Sequence, residues 1–488
     1  MKKLTFLLIV ALFFTTNIYS QKIAWGPVNK INKNKGSYEE LSKIGNNYYS
    51  TRRDVATYGG GSLYLDKFDE NFSLVSSKKL EIDLPPGSVT KEFYVEEKLV
   101  IVHTKTSLSE KSIIFNLSLL DLNGNIVYGK EIATAFIDNN QGSSIACISK
   151  NKKFMGILAF STFTKSSTIK LTYIRYNLST HDEPTLITQE VDTKTTKTTY
   201  SVPTFTIDNK GRITSILSFK KRSEGTELRT NKFIFITDGN NVVEKDELTF
   251  GDYSLQEISL ESSSDGQTYF SGMYSPITGK KSVYNGFFIG KLNTTTFDID
   301  KLVAYPYNRE FFNKLGYKIK KDGSIDFNGK FELQIVTDRD RGGFVIAERA
   351  NQIYYGELVV LKFDSSLNIK YESIIPKGQK TNNYNILDGF GYVAIIKDGD
   401  LNLFYNDTEK NIDILQAADA KFMSKFGDSD VYTFHAKISA EGSLVRKLFI
   451  KNKDYDGYLK PDKSFIVDEN VILNYGFNSK TRYGVLSF

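Results

Sequence analysis

The sequence predicts an all-β chain folded as a β-propeller, with seven or eight blades of about four antiparallel strands each. Three observations predict it. Short runs of alternating apolar and polar residues, bounded by Gly, Asp and Asn, recur from end to end, which is the pattern of strands and turns. The long 3.6-residue stripes of amphipathic helices are almost absent. One unit also recurs: an alternating strand, an Asp/Asn-rich turn, then a second strand ending in charge.

The first copies of that unit are 63–82 (LYLDKFDENFSLVSSKKLEI) and 117–132 (LSLLDLNGNIVYGKEI), with looser copies onward to 448–467. Its turns are anchored at Asp66, Asp121, Asn177, Asp238, Asn293, Asp364, Asn406 and Asp454, spaced 55, 56, 61, 55, 71, 42 and 48 residues apart. A four-stranded blade takes about 40–50 residues. A single such sheet cannot bury both faces, whereas sheets stacked around an axis cover one another. Tandem β-sandwiches are the competing arrangement. The strand-like tail 481–488 (TRYGVLSF) is expected to close the ring on a segment near 22–25, because an open ring leaves two long sheet edges unpaired.

The spacing of 71 residues before Asp364 is too long for one blade. The surplus falls in an insertion near 305–330 (YPYNREFFNKLGYKIKKDGSIDFNGK), within which 308–315 is a candidate short helix. Insertions between blades lie on one face of a ring, where binding residues concentrate. Tyr305, Tyr307, Arg309 and Phe311 are therefore candidate binding residues, since Tyr and Arg are frequent interface anchors. The alternative is that these aromatics cover the blade beneath them.

The first 20 residues have the three-part layout of a secretory signal peptide: Lys2 and Lys3, an apolar run at 4–14 (LTFLLIVALFF), and a polar stretch ending at Ser20. The run is too short to span a bilayer, which takes about 20 residues. The expected mature domain is 21–488, exported to the periplasm, the outer-membrane surface or the medium, with no integral membrane span. The only cysteine is Cys147, so no disulfide can form within the chain. The formal charge of +6 is spread without a basic block, which argues against a nucleic-acid partner.

The stretch 342–412 carries Gly342, Gly343, Phe344 and Glu348, then Ile375-Pro376-Lys377-Gly378-Gln379, then Asn406-Asp407 and Asn411. This order, GG-F-E, IPK-x-Q and ND-x-x-N, resembles a group of uncharacterised exported Bacteroidota proteins. The stretch 271–275 followed by Gly286-Phe287-Phe288 is similar to the same group. That group places a Tyr-Asn-Asp in the strand before its IPK motif, where this chain has Tyr354-Tyr355-Gly356-Glu357. The resemblance implies export and the propeller fold, and names no reaction. It adds Lys377 and Gln379 to the candidate binding residues. Glu348 and Arg349 end a predicted strand. On an inner strand they would reach the channel mouth; otherwise a cross-strand ion pair is expected.

Recognisable catalytic sets are missing from the sequence. His103, His181 and His435 show no metal-ligand spacing and no nucleophile context. Asn452, Asp454 and Asp456 match the opening of a calcium loop, but Lys463 stands where the closing Glu is needed, so no cofactor is expected and Ca2+ is the one candidate ion. The stretch 262–269 (SSSDGQTY) is near an Asp-box hairpin, with Gly directly after the Asp. The expected role is a non-enzymatic binding module of the cell envelope whose partner is an envelope protein or glycan. The alternatives are a hydrolytic propeller, such as a glycan hydrolase using paired carboxylates, and a structural envelope component.

Overall fold

The computed structural model describes residues 23–488 except 31–34, 39–40, 55–61, 83, 85–89, 108, 138–141, 162–167, 193–198, 201–203, 224–225, 238–240, 246–252, 264–266, 277–284, 294, 297, 318–329, 339–340, 352–353, 381–388, 424–425, 427, 456, 468–469 and 478–479. The proposed signal segment lies outside the described residues.

Eight antiparallel sheets follow one another around a ring, each built on four principal strands. Blades one to seven span 35–79, 90–136, 142–192, 199–245, 253–306, 330–375 and 393–451. Within each, consecutive strands pair as a meander. The innermost strands of blades three to seven touch in succession, which places them around the axis. The last strands lie outermost; Leu74–Lys79 of blade one is exposed along its whole length. The eighth blade is composite. Its inner strands come from 458–486, and its outermost strand is Ile23–Trp25, paired with Lys480–Leu486 in the register Ile23↔Leu486, Ala24↔Val485, Trp25↔Gly484. The predicted closure is therefore formed.

Alternation along each strand sends apolar residues to both faces, and every neighbouring pair of blades encloses one apolar layer. Ile113, Phe115, Leu117 and Leu119 of blade two meet Met155, Ile157 and Ala159 of blade three. Leu401, Leu403 and Tyr405 of blade seven meet Phe344, Ile346 and Val360 of blade six. The layer between blades eight and one holds Tyr48, Phe68 and Phe72 against Phe465, Ile472 and Tyr483, so the ring closes by packing as well as by pairing. Two or three separate sandwiches are thereby excluded.

The turn chemistry corrects part of the sequence reading. Asp121 and Asp364 accept backbone N–H bonds from residues two and four positions on, and Asn177 and Asn293 from two and three on, which is the expected Asx turn. In blade one the anchor is Asp69, which accepts from Asn71 and Ser73. Asp66 sits inside a strand and pairs with Arg52 at 2.8 Å. In blade seven the anchor is Ser439, while Asn406 is buried inside a strand and Asp454 lies in the short helical turn Asn452–Tyr455. Asp238 lies outside the described residues. The last two spacings looked short because Asn406 and Asp454 are not hairpin residues. The eighth blade needs no such hairpin, since its outer strand arrives from the other end of the chain.

The predicted helix forms at Arg309–Leu315, between blades five and six. The Asn308 side chain accepts the Phe311 N–H at its start, and Gly316 ends it in the left-handed region at φ 78°. Among the described residues, no helix is long and apolar enough to cross a membrane.

Trp25 is the only tryptophan in the chain. Its ring packs on Tyr455 and Tyr475, with centroids 4.9 and 5.1 Å apart, beneath the Arg482 guanidinium. Trp25→Ala is expected to cost about 2 kcal/mol, read as a lower thermal midpoint. In the native chain, tryptophan emission should shift red at lower denaturant than the loss of far-UV circular dichroism, because a three-residue edge strand opens before the ring does.

Candidate functional site

Strand Asp400–Thr408, the second of blade seven, is buried from Leu401 onward because blade six covers one face and blade eight the other. Its side chains alternate between those neighbours. Leu401, Leu403 and Tyr405 face blade six, and Phe404 faces blade eight. The alternation continues into two polar residues, so Asn406 turns toward blade eight and Asp407 toward the linker that leaves blade six.

Asn406 uses its whole amide. Its Nδ2 donates to the carbonyls of Gly389 (2.8 Å) and Leu459 (2.7 Å). Its Oδ1 accepts from Leu459 N, Asn452 Nδ2 and Thr433 Oγ1 at 3.0–3.3 Å. Its backbone carbonyl accepts from Gln379 Nε2 at 2.7 Å. Gln379 Oε1 in turn accepts from Lys377 Nζ (2.9 Å) and Gly391 N (3.2 Å), and Lys377 donates a short bond to Glu348. The three motif segments thus converge in one buried chain, Glu348–Lys377–Gln379–Asn406, that ties blade six to blades seven and eight. Burial pushes the Glu348 carboxyl above the usual range, against the opposing pull of the Lys377 ammonium.

Asp407 starts a second chain. Its Oδ1 accepts from Thr408 N and Asn411 Nδ2, both at 2.8 Å. Burial raises its pKa to about 7 despite those donors and the nearby Lys377. Asn411 then closes a loop: its Nδ2 donates to the Lys421 carbonyl (2.8 Å) and its Oδ1 accepts the Lys421 N–H (2.7 Å). One side chain thus replaces a rung of backbone pairing across the neck of 411–421. Arg446 caps four carbonyls at the same place, those of Pro376, Asn411, Ile412 and Ile414. From the other side Gln416 and Ala418 pack against Gly316 at the end of the insertion helix, so tightly that a Cβ there would come within 3.0–3.2 Å of them. On this fixed loop Leu415 is 84% exposed, and beyond it Phe422 is 54% exposed with its ring edge-on to Tyr354.

A third cluster anchors the helix. Arg349 pairs with Glu357 at 2.9 Å across two strands, donates to Tyr354, and stacks against the rings of Tyr354 and Tyr317. Tyr317 donates to Glu357 at 3.2 Å.

The sequence-predicted residues fall as follows. Glu348 and Arg349 lie on the second strand of blade six, not the inner one, so neither reaches the channel mouth by that route. Arg349 forms the cross-strand ion pair, and Glu348 pairs with the linker instead. Lys377 and Gln379 are buried at 1% and 0% exposure, as supports rather than surface. Tyr305 donates to Glu372, Tyr307 stacks on Phe311 at 4.7 Å, and Phe311 is 1% exposed among Phe287 and Phe331. These aromatics cover blades five and six, and Arg309 is the exposed one of the four. Asn452 spends its amide on Asn406 and Thr433, Asp454 is exposed, and Asp456 lies outside the described residues. Among the described residues, no three His, Cys, Asp or Glu side chains group closely enough to hold a metal ion. His435 is a packed strand residue, stacked on Phe404 at 4.7 Å and held by burial at a pKa of about 3.

No family model matches the chain, and no curated protein matches it. Among solved structures it is similar to polysaccharide lyase Uly1, at TM-score 0.42 and 9% identity over 97% of this chain and 94% of that one. It is similar to the β-propeller domain of the Trilobed protease from Pyrococcus furiosus, at TM-score 0.37 and 10% identity over 84% and 98%. It is also similar to Penicillium chrysogenum alpha-L-arabinanase complexed with arabinobiose, at TM-score 0.34 and 12% identity over 79% and 92%. At these scores the likenesses carry no argument about activity.

Sequence reasoning missed Leu415, Phe422, Arg446 and the closing role of Asn411. Only Asn411 left a signal, as the last residue of the ND-x-x-N motif.

Two outcomes test the buried chains. Lys377→Met should cost about 3–5 kcal/mol by stranding Glu348, and adding Glu348→Gln should recover most of it, measured by denaturant unfolding. Asp407 is raised from 3.8 unfolded to about 7 folded, so its contribution is greatest below pH 4 and is lost as pH rises to 7. Asp407→Asn should therefore have a higher thermal midpoint than the native chain at pH 8, with the gap closing toward pH 4.

Proposed function

We propose that this chain is an exported, non-enzymatic binding module of the cell envelope, and that it engages a protein partner through the ring face bearing the 411–421 loop. One observation carries the reading. Leu415 and Phe422 are large, apolar and exposed, yet they stand on backbone fixed by Asn411, Arg446 and the Met423-to-Gly378 hydrogen bond of 2.9 Å. A monomer gains nothing from holding apolar side chains rigidly in water. A binding surface does, because prepositioned anchors spare the ordering cost of association. The buried Glu348, Lys377, Gln379 and Asn406 then act as the foundation of that surface. Export is the expectation set by residues 1–20.

A hydrolytic reading has one observation in its favour. Glu332, exposed on the first strand of blade six, sits directly across from Glu348 in the strand register. Such partners have Cβ atoms about 5 Å apart, within the range used by paired catalytic carboxylates. Against it, Glu348 is already consumed by Lys377 and is 5% exposed.

Affinity capture from envelope extracts separates the two. Leu415→Asp with Phe422→Ser should abolish capture of the bound protein while leaving the thermal midpoint within a degree or two, and Glu332→Gln should leave capture unchanged. Capture that survives the double substitution would refute the assignment of this face. Deleting 305–330 is not an equivalent test, since it removes Phe311 and Phe312 from the core.

A further inference from the structure

We infer that the chain has a second binding site on the opposite side of the ring, a cleft that takes a small organic anion with an apolar body. The cleft measures about 390 Å³ and lies where the first strands of blades six, seven and eight end. That is within the roughly 300–1,000 Å³ of small-molecule sites. Its apolar lining is Val336, Ile395, Ile396 and Ile466, and Ile466 is 48% exposed although it stands on an inner strand of blade eight.

One exposed cation at the rim, Arg341, is placed to meet an anion. Asp338 is 6% exposed and lies between two cations: Arg341 Nη2 donates to its Oδ1 at 3.1 Å, and Lys362 Nζ is 3.8 Å from its Oδ2. Lys362 is itself fixed over the Phe344 ring, 4.2 Å from the centroid. Among the described residues Asp338 faces both cations, Lys362 from outside the cleft and Arg341 from its rim, and the Arg341 side chain is 59% exposed with its guanidinium oriented by Asp338. Lys397 and Asp398 in the lining offset each other, which leaves Arg341 as the group that would select an anion. A guanidinium held by one edge presents its remaining N–H groups as a fork suited to a carboxylate. A ligand whose carboxylate meets Arg341 and whose hydrocarbon body lies on Ile396 and Ile466 satisfies both halves. The site shares no residue with the face of Leu415 and Phe422, so it stands or falls independently of the proposed protein-binding role.

Octanoate is a suitable probe, with octylamine and octanol as controls, measured by calorimetry on the full chain. The expected result is saturable binding of octanoate. Arg341→Gln should weaken it at least about tenfold, the loss of a charge-assisted pair. Ile466→Asp should abolish it, and Leu415→Asp should leave it unchanged. Equal binding of octylamine, no saturable octanoate binding, or octanoate affinity unmoved by both Arg341→Gln and Ile466→Asp in variants that keep the native thermal midpoint would overturn the inference.

Discussion

Each blade has two faces to bury and only its neighbours to bury them against. The middle strands of blade seven show the constraint most plainly, since Leu401, Leu403 and Tyr405 pack one way and Phe404 the other. Burial of this kind removes apolar area from water at about 25 cal/mol per Å², and no blade obtains it alone. The closed ring is what turns eight marginal sheets into one core.

That constraint also explains the polar chemistry. A strand sealed on both sides cannot offer water to its side chains, so a polar residue there must find protein partners or destabilise the fold. Asn406 meets the requirement with five side-chain hydrogen bonds. Asp407 meets it in part, through Thr408 and Asn411. The result is a rigid seam between blades six, seven and eight, placed under the loop that displays Leu415.

Much of the architecture was legible in the sequence because it rests on local signals. Alternating runs gave the strands, Asx turns such as Asp121 and Asp364 gave the hairpins, and the tail 481–488 marked the closure. The reading of seven or eight blades rested partly on Asn406 and Asp454, which anchor no hairpin; a buried Asn and a turn Asn look alike in sequence. The site was less legible because its contacts are long-range. Nothing in the neighbourhood of Arg446 indicates that it will cap carbonyls 32–70 residues away, and Leu415 resembles any other leucine until its exposure is known. For the aromatics of 305–311 the sequence left two readings open, a binding surface or a cover for the blade beneath, and Phe311 and Tyr307 follow the second, packed over blades five and six.

Blade eight carries a consequence for how the molecule is made. Its seam joins the first described strand, Ile23–Trp25, to Lys480–Leu486, as in the Arg482 bond to the Gly26 carbonyl, which spans 456 positions. Synthesis runs from one end, so Ile23–Trp25 has no mate until residue 486 has been made. The ring cannot be completed piecemeal as the chain grows, and a ribosome that stops short by one blade yields a molecule with two raw margins instead of a smaller ring. Proteases and chaperones that recognise unpaired strands therefore have a physical means of distinguishing a finished copy from an unfinished one.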